Sequence, residues 1–213
     1  DVLSTNYVYE TYYPIMVAED QLNIYNNLMI PSLKMIIQIE CHGLPLIPER
    51  VQEVKLQLQA ESDSYVQIME SNAYVQEATN RLQEAAWKTK QASLKKKIVE
   101  RSEFNEPINF NSSQQLAVLL YDVMEMPVIE WTETGERATG GKVIKALRKH
   151  TTDPEKLEVM EALHKYTKLV KILTGFIPTF EDAWLKADGM AYLHGSFNIG
   201  GTKSGRLSSS EPN

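Results

Sequence analysis

The stretch over residues 48–101 constrains the fold more than any other part of this chain, because its apolar residues recur at the spacing of an α-helix. The positions that share one face are Val51, Val54, Leu58, Tyr65 and Ile68 in the first half, and Val75, Ala78, Leu82 and Ala85 in the second. Pro48 suits the first turn of a helix, and Ser71 with Asn72 marks a break between the halves. We therefore predict two long helices, running on to about Glu100, that pair as an extended antiparallel hairpin.

Proline and glycine divide the N-terminal part of the chain. Residues 1–30 have apolar positions at helical spacing, with a break predicted at Pro14. Residues 31–40 predict a strongly apolar helix that Gly43 ends. Two prolines follow in "GLPLIPER", and because proline is unfavourable inside a helix, this segment is predicted to be extended.

Shorter elements are predicted after residue 101. Ser112 and Gln115 have the spacing of a capping box, which predicts the start of a helix. The residues that this helix should bury are Leu116, Leu119, Leu120 and Val123. Beyond it we predict a turn at Thr134-Gly135, an N-cap at Thr139 and a helix over residues 141–150.

The last third is predicted to change from helix to strand. Pro154 opens a long helix that should end near Leu173, and a short helix is predicted over residues 181–186. The segment "GMAYLHGSFNI" alternates as a β-strand does. The sequence therefore predicts a mainly α fold, with a short β segment near its C-terminal end.

Charge is distributed unevenly along the chain. The net charge of −6 argues mildly against nucleic acid as a partner, yet residues 81–101 carry seven basic residues. Residues 142–171 carry eight basic against four acidic residues. A chain that is acidic overall can still present local basic faces that neutralise phosphates.

Several classes of protein are disfavoured by what the sequence contains. No apolar run approaches the ~20 residues of a membrane-spanning helix. Cys41 is the only cysteine, so an internal disulfide is impossible, as suits a reducing compartment. The four histidines are spread out, and the short motifs of zinc proteases, serine hydrolases and phosphate-binding loops are absent. We predict no catalytic residue within this chain.

What remains is binding through helix ends, lysines and a polar loop. The helices after Asn111 and after Thr139 present free N–H groups that favour phosphate. Two basic stripes follow, one with Lys142, Lys145 and Lys149 and one with Lys165, Lys168 and Lys171. For either stripe alone, a solvated helix face is the more ordinary interpretation, because exposed lysines are common.

The closing stretch "GTKSGRLSSSEPN" combines glycine, arginine and short hydroxyl side chains. Gly205 allows close approach of the backbone to a ligand, and Arg206 is a permanently charged donor. The minor groove of a DNA duplex offers an acceptor at every base pair, so one arginine can contact it without reading sequence. Composition alone leaves a mobile tail as the alternative.

The closing stretch also resembles a motif of the family A, or DNA polymerase I-like, DNA polymerases, in "TKSGRLSSSEPN". Further segments resemble that family in the same order along the chain, from "SLKMIIQIECHGLPLIPERV" through "INFNSSQQLAVLLYDVMEMPVI", "TETGERATGGKVIKALRKH" and "LHKYTKLVKILTGFI" to "YLHGSFNIGGTKSGR". The last of these is most similar to bacteriophage members. "DVLST" is similar to the end of an exonuclease motif whose aspartate binds a metal, which implies a metal ligand at Asp1.

The resemblance implies an antiparallel long-helix thumb with a short β segment at the start of the palm. Residues 1–27 would be the C-terminal helix of a 3′–5′ exonuclease-like domain, residues 28–186 the thumb, and residues 187–213 the start of the palm. The residues expected to contact DNA are Asn111, Ser112, Lys142, Lys145, Lys168, Lys171, Thr202, Lys203, Gly205, Arg206, Ser208 and Asn213.

The function implied is part of a DNA-directed DNA polymerase that grips primer–template DNA in the cytoplasm, in a bacterial host if the protein is viral. The nucleotidyl-transfer centre and its Mg²⁺ would belong to palm and fingers C-terminal to this chain, which alone is expected to be inactive and to bind no metal stably. Residues 60–100, where Lys95, Lys96 and Lys97 cluster, are expected to bind a processivity partner or DNA, and a longer solvated hairpin is the alternative. The alternative is a non-catalytic helical module, derived from a polymerase thumb, that binds DNA or protein.

Overall fold

The computed structural model describes residues 1–94 and 98–210, which form two compact units. One unit comprises Asp1–Val51 with Thr179–Asn213, and the other comprises Gln52–Pro178. The predicted boundaries of the exonuclease-like, thumb and palm segments are not tested by this division and stay predictions.

Helices form the N-terminal part of the first unit. Helix α1 spans Val2–Ala18 and continues through Pro14, so the predicted break there is wrong. A proline removes one helical hydrogen bond, and the chain instead turns at Asp20, whose φ is 54°. Helix α2 (Leu22–Ile24), a π-type turn (Tyr25–Met29) and helix α3 (Ile30–His42) follow without interruption. Gly43 ends α3 with a φ of 78°, which confirms the predicted stop.

The strands of the first unit form two small antiparallel sheets. Strands β1 (Leu44–Leu46), β2 (Trp184–Leu185) and β3 (Ala191–Leu193) form one sheet in the order β1-β3-β2. Strands β4 (Ser196–Asn198) and β5 (Ser208–Ser210) form the other.

Two predictions for this region are wrong. The helix predicted over residues 181–186 is replaced by β2. A turn at Gly189 joins β2 to β3, and backbone hydrogen bonds between Lys186 and Met190 close this turn. The single strand predicted in "GMAYLHGSFNI" divides between Leu193 and Ser196, and its halves belong to different sheets.

Two long helices form the N-terminal part of the second unit. Helix α4 spans Pro48–Ser71, and helix α5 spans Ala73–Ser93. Asn72 separates them as the N-cap of α5, because its side chain accepts a 3.0 Å hydrogen bond from the Tyr74 amide. The predicted start at Pro48 and the predicted break are confirmed.

The predicted continuation of α5 to Glu100 is wrong, since the helix ends at Ser93. Val99 lies against α5. The Trp87 indole donates a 2.8 Å hydrogen bond to the Val99 carbonyl, and the Gln91 side chain accepts a 3.0 Å hydrogen bond from the Val99 amide. These two contacts hold buried Val99 against α5 in place of further helix. Lys95, Lys96 and Lys97 lie outside the described residues, and a processivity partner over residues 60–100 stays a prediction.

Helical segments between residues 113 and 171 form most of the core of the second unit. These are α6 (Ser113–Ala117) with a π-type segment (Val118–Val123), α7 (Gly141–Leu147) with a 3₁₀ turn (Arg148–His150), and α8 (Pro154–Lys171). Their fully buried side chains include Leu119, Leu120, Ile144, Leu147, Val159, Met160 and Leu163, to which α4 and α5 add Met69, Val75 and Ala78. A mainly α fold with short strands towards the C-terminal end is thereby confirmed.

Helix α8 ends at Lys171, close to the predicted end near Leu173. A π-type segment (Ile172–Phe176) and helix α9 (Ile177–Glu181) extend it. Among the described residues, no helix is long and apolar enough to cross a membrane.

Candidate nucleic-acid interface

The polar loop singled out in the sequence forms the tip of the β4–β5 hairpin. Asn198 pairs with Ser208 at the base of the loop, and Gly205 turns the backbone with a φ of 73° that favours glycine. Thr202 closes the loop, because its hydroxyl donates 2.7 Å to the Arg206 carbonyl and its own carbonyl accepts 3.3 Å from the Gly205 amide. The loop is therefore an ordered turn rather than an open tail.

Arg206 is exposed at this tip, and its guanidinium makes no hydrogen bond or ion pair within residues 1–94 and 98–210. Lys203 and Gly205 are exposed beside it, whereas Thr202 and Ser208 are half-buried. Ser208 packs under the loop: a Cβ on Gly201 would lie 2.2 Å from the Ser208 hydroxyl oxygen. Asn213, which was also predicted to contact DNA, lies outside the described residues.

Glu40 holds the base of the hairpin, and sequence reasoning missed it. Its carboxylate accepts a 2.6 Å hydrogen bond from the Phe197 amide, and its carbonyl accepts 2.7 Å from Nδ1 of His194. Glu40 and the hairpin are separated by 157 positions, and no local pattern indicates such a pairing.

The N-terminus of α6 is organised by Asn109, Ser112 and Gln115. The Ser112 hydroxyl accepts from the Gln115 amide at 3.4 Å, as the capping box predicts. The Gln115 side chain reaches further back than in a capping box and accepts 2.7 Å from the Asn109 amide. Exposed Asn111 donates 3.2 Å to the hydroxyl of Tyr166 on α8. The structure thus brings Asn111 and Ser112 next to the helix that carries the second lysine stripe.

The N-cap of α7 is Gly140, so the prediction of Thr139 is wrong. Thr139 is buried, and its neighbour Ala138 is drawn inwards because its carbonyl accepts a hydrogen bond from the Tyr121 hydroxyl. Lys142 is exposed in the first turn that follows.

The two lysine stripes belong to helices that pack together, α7 and α8. Lys145, Lys168 and Lys171 are exposed on them, whereas Lys165 is paired with Glu161 at 3.4 Å. Lysines of both stripes affect His164. Burial is the largest cause that lowers the pKa of this imidazole, the charge of Lys168 is the next, and the charge of Lys145 on α7 lowers it further. Nδ1 of His164 has no hydrogen-bond partner within the described residues. Exposed lysines of both stripes thus lie on two helices that pack together, with Glu161 on α8 offsetting part of their charge at His164.

Within the described part of the chain, no group of three or more His, Cys, Asp or Glu residues is arranged to hold a metal ion. Asp1 is exposed, and its role as a metal ligand stays a prediction.

Comparison with known proteins decides the family. The sequence model of DNA polymerase family A matches residues 76–213, which include both lysine stripes and the hairpin. The chain belongs to DNA polymerase family A. Within this family, the chain is 27% identical to the DNA polymerase of Bacillus phage SP01 over 96% of its own length and 23% of that protein.

Other members of family A are similar over shorter stretches. The thermostable DNA polymerase I of Thermus aquaticus is 38% identical over 50% of this chain and 12% of its own length. The chain thus spans less than a quarter of each of these two relatives. The polymerase domain of Pol1 from M. smegmatis, solved with primer–template DNA and dNTP, matches 93% of this chain and 28% of that chain. Its TM-score of 0.63 at 19% identity shows that the fold is shared.

Proposed function

We propose that this chain is the part of a family A DNA polymerase that holds primer–template DNA during DNA-directed DNA synthesis. The observation that carries the proposal is the exposed guanidinium of Arg206 at the tip of an ordered hairpin, which pairs with no group among residues 1–94 and 98–210 and lies within the segment that matches the family. The solved polymerase domain that shares this fold holds primer–template DNA, and this supports the proposal by analogy of fold.

In this proposal Arg206 hydrogen-bonds acceptors in the minor groove near the primer end. Such acceptors occur at every base pair, so the contact senses the shape of a correct pair and not its sequence. Thr202, Lys203, Gly205, Ser208 and Asn213 form the surroundings of this contact.

The second unit supplies the phosphate contacts. Lys142, Lys145, Lys168 and Lys171 are exposed and lie on helices that pack together. Lysines that neutralise phosphates release counterions, which makes binding depend steeply on salt. Asn111 and Ser112, next to α8, would add neutral hydrogen bonds to the same backbone.

Nucleotidyl transfer belongs, in this proposal, to palm and fingers C-terminal to residue 213, where carboxylates would hold Mg²⁺ and the metal would stabilise the reacting oxygens. The described residues do not fit such a metal site. This chain's share is to bind and orient DNA, in the cytoplasm of the cell in which the polymerase works.

The proposal is tested by titrating a fluorescently labelled primer–template with the 213-residue chain between about 50 and 200 mM salt. We expect log affinity to fall linearly with log salt. An affinity that does not change with salt would contradict phosphate contact and with it the proposed function.

A further inference from the structure

We propose that Glu40 is a positioning residue for the DNA contact of Arg206. The inference rests on the proposed function, since it concerns how that contact is held in place. Glu40 lies in the last turn of α3, far from Arg206 in sequence, and contacts the hairpin at Phe197 of β4.

The hairpin needs such an anchor because it consists of two short strands. A two-stranded hairpin alone is marginally stable in water, and within the described residues β4 and β5 pair through three residues each. The hydrogen bond from the Phe197 amide to the Glu40 carboxylate, 2.6 Å long, fixes β4, and the pairing of Phe197 with Ser209 passes that constraint to β5. Arg206 lies two residues before the start of β5 at Ser208.

A second contact fixes the chain just before the hairpin. The His194 ring donates from Nδ1 to the Glu40 carbonyl at 2.7 Å and packs against Gly43, where a Cβ would lie 2.8 Å from the ring. Glu40 therefore holds the chain on both sides of Gly195, where it passes from the β1-β3-β2 sheet into the hairpin. One residue of α3 thus sets the direction in which the hairpin leaves the sheet.

The direction in which DNA affinity changes when Glu40 is replaced distinguishes an anchor from a purely electrostatic effect. Removal of a carboxylate near bound DNA should strengthen binding if charge alone matters, because the phosphates are negative. Loss of the anchor should weaken binding, because Arg206 must then be ordered when DNA binds. The two explanations predict opposite changes in affinity.

The experiment measures primer–template affinity of the full chain for Glu40→Ala, Glu40→Gln and the control Glu49→Ala. We expect about fivefold weaker binding for Glu40→Ala, the ratio that one lost hydrogen bond gives. Glu40→Gln keeps an oxygen that accepts from Phe197, so it should restore near-wild-type affinity. Glu49→Ala removes the same charge from an exposed position of the same unit and should not weaken binding.

A double variant separates positioning from general damage. If Glu40 acts through Arg206, Glu40→Ala combined with Arg206→Ala should bind no more weakly than Arg206→Ala alone. Additive losses, or unchanged or tighter binding by Glu40→Ala, would overturn the inference while leaving the proposed function intact. A wild-type chain that fails to bind primer–template would overturn both.

Hydrogen exchange supplies a readout that needs no DNA. The Phe197 amide should exchange faster in Glu40→Ala and at the wild-type rate in Glu40→Gln, with the second unit unchanged. If Glu40→Ala unfolds the chain, Glu40→Asp keeps the charge but shortens the reach to Phe197, so it should show the same faster exchange and weaker binding. Wild-type exchange and affinity in Glu40→Asp would count against the anchor.

Discussion

The Tyr74 hydroxyl, near the start of α5, donates a 2.8 Å hydrogen bond to the carboxylate of Asp153, which caps α8. Asp153 also accepts from the amides of Glu155 and Lys156, so one carboxylate fixes both the start of α8 and its attachment to α5. The bond to Tyr74 is the main cause that lowers the pKa of Asp153, and the bond to Asp153 is the main cause that raises the pKa of Tyr74. The pairing therefore stabilises the fold only while Asp153 is ionised and Tyr74 is neutral.

The pairing predicts how stability depends on pH. A lowered carboxyl pKa contributes stability above its unfolded value of about 3.9, and this is lost as pH falls through the folded pKa. A raised tyrosine pKa contributes stability below its unfolded value of about 10, and this is lost as pH rises through the folded pKa. We expect the stability advantage of wild type over Tyr74→Phe to be largest between these limits in urea unfolding. Tyr7→Phe, on an exposed face of α1, should show no such profile; a Tyr74→Phe difference that is constant with pH would contradict the pairing.

Arg206→Ala should weaken primer–template binding by about 1–3 kcal/mol, the range of a base-edge contact by arginine. The salt dependence should change little, because a minor-groove contact releases few counterions. Fluorescence anisotropy against salt measures both quantities. Arg101→Ala, an exposed arginine in the second unit, serves as the control; equal losses in both variants would remove Arg206 from the interface.

Lys168→Ala should act differently from Arg206→Ala. A lysine that contacts phosphate contributes about one unit to the slope of log affinity against log salt, so the slope of this variant should be shallower. The loss should be similar for all duplex sequences. Lys34→Ala removes an exposed lysine of α3 and should leave the slope unchanged. An unchanged slope in Lys168→Ala would indicate that Lys168 lies on a solvated helix face and does not contact phosphate.

Gly201→Ala should destabilise the hairpin, because the added Cβ would lie 2.2 Å from the Ser208 hydroxyl oxygen. Overpacking of this kind costs about 1–3 kcal/mol. Hydrogen exchange of the amides in β4 and β5 measures the effect locally. Addition of Ser208→Ala removes the oxygen that clashes and should recover part of the loss. Gly175→Ala is the control, because a Cβ added there would meet no atom of the described residues within 4 Å outside its own helical backbone; slow exchange in Gly201→Ala would contradict the close packing.

Sequence predicted the elements whose limits are set locally. Gly43 stops α3, Asn72 divides α4 from α5, and Pro154 follows the cap of α8, because glycine, a capping amide and a proline act on the adjacent backbone. The turn at Thr134-Gly135 is also confirmed, since the Gly135 amide donates to the Thr132 carbonyl and Gly135 has a φ of 78°.

Two of the predictions that failed depend on contacts between residues 8 to 17 positions apart. Helix α5 stops early because Trp87 and Gln91 capture Val99, and the N-cap of α7 moves to Gly140 where Tyr121 holds Ala138. The motif in the sequence located Arg206 but gave no sign of Glu40, because the contact joins helix to hairpin across most of the chain.

The contact between Trp87 and Val99 can be followed by the intrinsic tryptophan fluorescence of the protein. Of the three tryptophans, Trp131 and Trp184 are 61% and 75% exposed, whereas Trp87 is half-buried with its indole N–H bonded to Val99. Iodide should quench the first two preferentially, so the residual emission should come mainly from Trp87. Its intensity would follow, without any added label, whether the chain after α5 remains folded back when DNA or another protein is added.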